Sequence, residues 1–283
     1  MFPAGTRLDA SAPIAVLEPL REVNRALLEL LAGLSDEDWI RPTVHRDRNV
    51  KDLTAHLLQG SLSRVSAFRD GYRPTAGPIA SRDELVAFIQ RGNREFIQGV
   101  RRLSPAILRE LLARYDEEMV LAFERLDPEG PGLGVVWAGE WVSANWFDVA
   151  REYSEKWHHQ QQLRDACGRP LLDDPKLLVP ALETFARALP EAYRKLKSPV
   201  GSALSIALGD PANLGWTLRR EAAGWSLFAG VDTGAPTSIH LTPDLAWRLW
   251  TNGVSRGLAR GGIQVVGDAA AAEPLLACLA IMA

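Results

Sequence analysis

Apolar positions in the first two thirds of the chain recur at the three-and-four spacing of amphipathic helices. Val16, Leu20, Val23, Leu27 and Leu31 form one such face. Asn49 with Asp52 three residues on predicts a capped helix start, and the line Leu53, Leu57, Gly60, Arg64, Phe68 follows it. A third helix is expected from Ser81, carrying Leu85, Phe88, Ile89 and Phe96. A fourth is expected from Ser104-Pro105, a cap followed by proline at the first helical position, and ends by Asp127-Pro128. Glycines and prolines between Glu129 and Gly139 predict a loop. The next helix is capped near Ser143 and closed by Gly168-Arg169-Pro170. Asp174-Pro175 opens a segment that reaches Lys195, with a break expected at Pro190.

After Lys197 the period shortens to two. Leu204, Ile206 and Leu208 alternate with small residues, and Trp216/Leu218 and Trp225/Leu227 flank Ala222-Ala223-Gly224 as a hairpin. Ser238–Leu241 and Ile263–Val266 are further strands. Pro243-Asp244 starts a helix with Leu245, Leu249 and Trp250, and Asp268 caps a closing one. The expected architecture is therefore an all-helical domain over residues 1–197 and a small α+β domain over 198–283.

Composition narrows the function classes. The charged share of 24% and hydrophobic share of 47% fit a globular chain. A net charge of −3 carries no basic field for nucleic acid. Two cysteines without close spacing exclude a disulfide framework and a cysteine zinc site, and fit a reducing cytosol. Charged residues interrupt the N-terminal stretch, so no export leader is expected. Glu273 and Pro274 break the apolar tail, so no membrane span is expected either. The expectation is a cytoplasmic protein, monomer or homodimer. Several of the nine tryptophans cluster between Trp137 and Trp157, either as a pocket lining or as bundle core.

The histidines are the remaining source of chemistry: His45, His56, His158, His159 and His240. Glu155 and His159 stand four residues apart, on one helix face, and both can reach one divalent cation at ~2.0–2.2 Å. His56, beside the apolar line of a second helix, is the best third ligand, since facing helices of a bundle commonly build such sites. His159 is preferred to His158 for two reasons. Arg151, Ser154, His158, Gln161 and Asp165 form a wholly polar stripe that reads as solvent-facing, whereas the stripe of Glu152, Glu155, His159, Leu163 and Ala166 turns apolar. His45, before the charged run Arg46–Arg48, is expected to be exposed, and His240 to be structural. Asp52 either caps its helix or orients His56, capping being the better explanation. Cys167, at a helix C-terminus, is not a nucleophile.

Three stretches carry a family resemblance. Asn49-Val50-Lys51-Asp52-Leu53-Thr54-Ala55-His56-Leu57 resembles the first metal helix of the DinB-like superfamily, most closely that of its mycothiol-dependent, maleylpyruvate isomerase-like members. Glu155 to Arg164 resembles the second metal helix, and Val265-Val266-Gly267-Asp268 is similar to the end of a sterol-carrier-like accessory domain. The resemblance implies a DinB-like four-helix bundle followed by a small α+β sterol-carrier-like domain. It also implies one divalent metal, zinc first and nickel or another ion as alternatives, held by His56, Glu155 and His159. A low-molecular-weight thiol such as mycothiol is the implied cofactor and a small electrophile the implied substrate, with the activity of a thiol transferase or isomerase. Two positions depart from the pattern: Arg48-Asn49 stand where a tryptophan usually precedes the valine, and Gln162 where aspartate is common. Both leave thiol and substrate preference open. Two other readings stay open on the ligands alone. One is a metal-containing module that binds a small molecule or lipid without catalysis. The other is a hydrolase whose metal activates water.

Overall fold

The computed structural model describes residues 6–7, 13–73 and 79–281. Residues 1–5, 8–12, 74–78 and 282–283 lie outside that description, and with them most of the stretch read for an export leader. In chain order the elements begin with β1 (Thr6–Arg7), α1 (Leu17–Ala32), α2 (Asp36–Trp39), α3 (Val50–Phe68), α4 (Arg82–Val100) and α5 (Pro105–Glu124). Next come β2 (Pro131–Leu133), β3 (Val142–Ala144), α6 (Asn145–Ala166), α7 (Pro175–Ala186) and α8 (Leu189–Tyr193). The last are β4 (Ala203–Leu208), β5 (Gly215–Arg220), β6 (Trp225–Ala229), β7 (Thr237–Leu241), α9 (Pro243–Trp250), α10 (Arg256–Arg260), β8 (Gln264–Val266) and α11 (Ala272–Ala277). Among the described residues no helix is long and apolar enough to cross a membrane.

The chain forms two compact units. One comprises Ala15–Gly130 with Arg151–Leu172. The other comprises β1, Pro131–Ala150 and the chain from Asp173 onward. The switch from helix to strand falls between Tyr193 and Ala203, close to the expected residue 198, but the units do not divide there. Residues 131–150 and 173–197 belong with the sheet. Tyr193 explains part of this: its hydroxyl donates to the Ala271 carbonyl at 2.8 Å and its ring meets Trp225 edge-on at 5.9 Å. The Trp225 indole in turn donates to the Leu196 carbonyl at 3.2 Å.

An apolar cluster lies in the helical unit. Leu27 and Leu31 of α1, Leu53, Leu57 and Leu58 of α3, Leu108 and Leu112 of α5 and Leu163 of α6 meet in it, with Trp39 of α2. Predicted caps hold the helix starts. Asn49 accepts from the Asp52 backbone amide at 2.9 Å and Asp52 accepts in return from that of Asn49; the Ser81 and Ser104 hydroxyls accept from the Glu84 and Ile107 amides at the starts of α4 and α5. Helix α2 was not expected, although Ser35 and Asp38 form a capping box around it.

Helix α6 departs most from its sequence reading. The middle of the stripe expected to face water is interior: Ser154, His158 and Gln161 are buried, Arg151 is half-buried and only Asp165 is exposed. Beside it, Glu152, Lys156 and Gln160 of α6 each reach a different partner. The Arg64 guanidinium of α3 donates to Glu152 at 2.8 Å. A Cβ at Gly60 would come within 2.8 Å of the other Glu152 oxygen, so the missing side chain at that position makes the room. The Lys156 ammonium, 1% exposed, donates to Ser61 at 2.7 Å and to Asp116 of α5 at 2.5 Å. Gln160 donates to the Val23 carbonyl of α1 at 2.8 Å. Thus Gly60 and Arg64, read as part of an apolar line, belong to a buried polar seam.

In the other unit the six-stranded sheet has the order β1-β6-β5-β4-β7-β8. Only β4 and β7 run parallel. The predicted hairpin pairs Arg220 with Trp225. The stretch expected to be loop holds β2, which pairs with β3. Gly134 permits the tight return: a Cβ there would lie 2.3 Å from the Trp141 carbonyl oxygen. Helix α7 ends before Pro190, which instead occupies the first turn of α8, where its missing N–H costs nothing. Of the clustered tryptophans, Trp137, Trp146 and Trp157 are buried and Trp141 is exposed.

The buried ion pair makes a stability prediction. Asp116→Ala leaves the Lys156 ammonium without its counter-charge and is expected to cost about 3–5 kcal/mol in urea unfolding. The double substitution Asp116→Leu with Lys156→Met removes both charges and is expected to cost far less. A double variant as unstable as the single one would mean that packing, not the stranded charge, sets the loss.

Candidate metal centre

His56 lies in the second turn of α3, whose register the Asn49–Asp52 capping box sets. Asp52 also takes a two-pronged contact from Arg101, at 2.9 and 2.8 Å. Capping and the Arg101 pair thus account for its carboxylate, in line with the capping reading. Glu155 and His159 sit one turn apart on α6. The three side chains converge: one ligand atom from each of His56, Glu155 and His159 lies within 4.8 Å of the other two. The rings of His56 and His159 meet edge-on at 4.9 Å.

Hydrogen bonding fixes where the protons are. A Gln162 carbonyl oxygen can only accept, and it lies 2.8 Å from Nδ1 of His159. Nδ1 therefore carries the hydrogen and Nε2 the lone pair. That lone pair faces Glu155 Oε2 at 3.3 Å. Two lone pairs directed at each other across that gap repel unless a cation lies between them. The distance is long for a charge-assisted hydrogen bond, usually ~2.7–2.9 Å. It matches the ~3.4 Å that separates two ligands of a tetrahedral ion bound at ~2.1 Å. His56 Nδ1 is buried with no hydrogen-bond partner. A lone pair aimed at a carboxylate and a donor set of two imidazoles and one carboxylate together fit a divalent ion of the zinc type.

Electrostatics favour the ligating form of the rings. Burial, then the neighbouring His159, pushes His56 down to about 3. Burial, then His158 and His45, holds His159 well below the ordinary histidine range. Burial also lowers His158. Neutral imidazoles are what a metal requires.

His158 departs from its sequence reading. His158 is not solvated. It is buried, and its Nδ1 donates to the Ser154 carbonyl at 2.9 Å, with its ring 4.0 Å from that of His159. His45 is a correction. Thr43 and Arg48 fold its loop back: Thr43 donates to the Arg48 carbonyl at 2.7 Å, and the His45 amide donates to Thr43 at 3.2 Å. This brings the His45 ring, half-buried, to 5.8 Å from His159, with Nε2 at 3.1 Å from the Gln162 oxygen. Gln162, marked in the sequence as a departure from the family pattern, thus contacts both His159 and His45. His240 is exposed on β7 and contacts Ser238. Cys167 and Cys278 are free and buried. Burial raises the Cys167 thiol, and it pushes that of Cys278 up to about 12.

The lowered histidines set a pH dependence for chelator-treated protein. Below about pH 6.5 the unfolded chain takes up protons that the folded His56, His158 and His159 refuse, so stability falls as pH falls. Each such group contributes a slope of up to ~1.4 kcal/mol per pH unit until its folded pKa is reached. Urea midpoints between pH 7.5 and 5.5 are expected to fall, and less steeply in His159→Gln. A profile as steep in His159→Gln as in the native chain counts against a neutral, buried His159.

Comparison with known proteins follows the same lines. The family model described as the mycothiol maleylpyruvate isomerase N-terminal domain matches residues 20–164, the span that contains His45, His56, Glu155 and His159. A comparison with curated proteins finds no match. Among solved structures, the crystal structure of the mycothiol-dependent maleylpyruvate isomerase superposes with a TM-score of 0.55 at 14% identity, over 88% of this chain and 90% of that one. A histidine-to-alanine mutant of that enzyme superposes with a TM-score of 0.54 at 13% identity over the same shares. These likenesses extend the shared fold, helical bundle and sheet together, well beyond the matched span. With just over half of its length matched by the family model, the chain belongs to the mycothiol maleylpyruvate isomerase N-terminal domain family.

Proposed function

We propose that this chain is a metal-dependent enzyme of thiol chemistry, a thiol transferase or isomerase. His56, Glu155 and His159 hold one divalent ion, zinc first. A low-molecular-weight thiol such as mycothiol is the cofactor, and a small electrophile is the substrate. The observation that carries the reading is the convergence of two imidazole nitrogens and a carboxylate oxygen within 4.8 Å. Family membership, with relatives described as mycothiol-dependent, supplies the thiol.

When bound, the ion supplies the positive charge that lets a coordinated thiol lose its proton, and the thiolate is the nucleophile. The chain's own groups do the rest. His56, Glu155 and His159 would hold the ion with three protein ligands, a number that in catalytic zinc sites leaves room for an exogenous ligand such as a thiol. The Glu155 side chain is 28% exposed and that of His159 only 6%, so the site opens to solvent on the Glu155 side. Leu53 and Leu57, on the same helix as His56, are buried in the apolar cluster and keep water from that side. Gln162 holds the His159 proton on Nδ1, away from the ligand position.

Protein purified without chelators is expected to carry about one divalent ion per chain by native mass spectrometry and elemental analysis. His159→Ala loses it and His158→Ala keeps it; the reverse pattern overturns the ligand assignment. Thiol binding is expected to release about one proton, measured by calorimetry in buffers of different ionisation heat. With cobalt in the site, it adds a sulfur charge-transfer band. A thiol panel including mycothiol that changes neither signal removes the thiol reading. Thiol-independent hydrolysis of an ester or amide would then support the hydrolase instead.

A further inference from the structure

His45 and Gln162 lie outside the three-residue ligand set, yet both are tied to it through one atom. The Gln162 carbonyl oxygen is 2.8 Å from Nδ1 of His159 and 3.1 Å from Nε2 of His45. A carbonyl oxygen has two lone pairs and no hydrogen to give. Both ring nitrogens must therefore be donors. The consequence runs in opposite directions on the two rings: His159 keeps its lone pair on Nε2, His45 on Nδ1. Gln162 is itself buried, so water does not compete for the carbonyl.

We propose that Gln162 is a positioning residue that sets the tautomers of both histidines before any metal arrives. Its carbonyl makes His159 an Nε2 ligand by occupying Nδ1–H, and the same oxygen anchors the His45 loop beside the centre. The reversed amide would present N–H to both rings. It would place the hydrogen of His159 on Nε2, pointing at Glu155 and closed to a cation. The orientation of a single side-chain amide thus decides whether the His–Glu pair is a metal half-site or a plain hydrogen bond. Outer partners of this kind commonly govern metal affinity by ~10–100-fold. The inference deepens the metal reading and rests on it for its consequence, though not for the geometry.

The test uses the whole chain without metal. Long-range proton–nitrogen NMR correlation reads the tautomer of each ring directly. Native protein is expected to show His159 with hydrogen on Nδ1 and His45 with hydrogen on Nε2. Gln162→Met keeps the length of the side chain and removes the acceptor, and is expected to mix both tautomers and weaken zinc binding ~10–100-fold. Gln162→Glu restores an acceptor and is expected to restore the His159 tautomer. Thermal unfolding of both variants separates this from loss of folding. The inference is overturned if native His159 carries its hydrogen on Nε2, or if Gln162→Met keeps both tautomers and full affinity. Intact tautomers in a chain that binds no metal sink the metal reading and leave the lock standing; metal binding with the wrong tautomers does the reverse.

Discussion

A buried polar group without a partner costs several kcal/mol, and α6 runs a nearly continuous polar sequence through the middle of a helical bundle. For most of these residues the structure meets that constraint with a separate partner, Gln162 Nε2 being left without one. Glu152 is paired from α3, Lys156 from α5, and Gln160 reaches the backbone of α1. Gln161 exchanges two hydrogen bonds with Leu172, at 3.0 and 2.8 Å. These partners lie on different elements, so the contacts fix both the rotation and the axial position of α6. A slide of one turn would strand all of them together. The Glu155–His159 pair and His56 stand out against this background, because a carboxylate oxygen and two ring nitrogens converge there within 4.8 Å of one another.

The same constraint explains which parts of the molecule were legible in the sequence. Helix starts were, because Asn49/Asp52, Ser81, Ser104-Pro105 and Asp174-Pro175 carry their own caps in local sequence. Strands β4 to β8 were, because alternation is also local. The Glu155–His159 pair was readable from helical spacing, and His56 only as the best partner for it. Polarity misled where it usually guides: the stripe through Ser154, His158 and Gln161 reads as surface, yet Ser154 and His158 are satisfied by the helix's own backbone, at the Arg151 and Ser154 carbonyls, and Gln161 by Leu172 beyond the helix. Gln160, beside the stripe, finds its partner 137 residues away on α1.

His45 was misread, and the contacts of Gln162 went unread, for a related reason. His45 sits in a loop with no periodicity, beside three charged residues. What returns it to α6 is the turn closed by Thr43 onto the Arg48 carbonyl, at 2.7 Å. Gln162 is one of three consecutive glutamines, and each has a different task. Gln160 holds α1, Gln161 holds the chain after the helix, and Gln162 holds two histidines. Identical residues in a row take their roles from the helical rotation of about 100° per residue, which only the surrounding helices make visible. The division into compact units was obscured similarly, since α7 and α8 read as helix like everything before them but are held to the sheet through Tyr193 and Trp225.

The two cysteines carry a consequence for what the site meets. Both are buried and free, and burial raises each thiol, Cys278 to about 12. At neutral pH neither offers a useful thiolate fraction. The chain therefore supplies no sulfur nucleophile of its own to compete for an incoming electrophile or to alkylate itself out of action. Sulfur reactivity in this molecule has to arrive from solution, and consumption of an electrophile by it can be followed against a silent protein background.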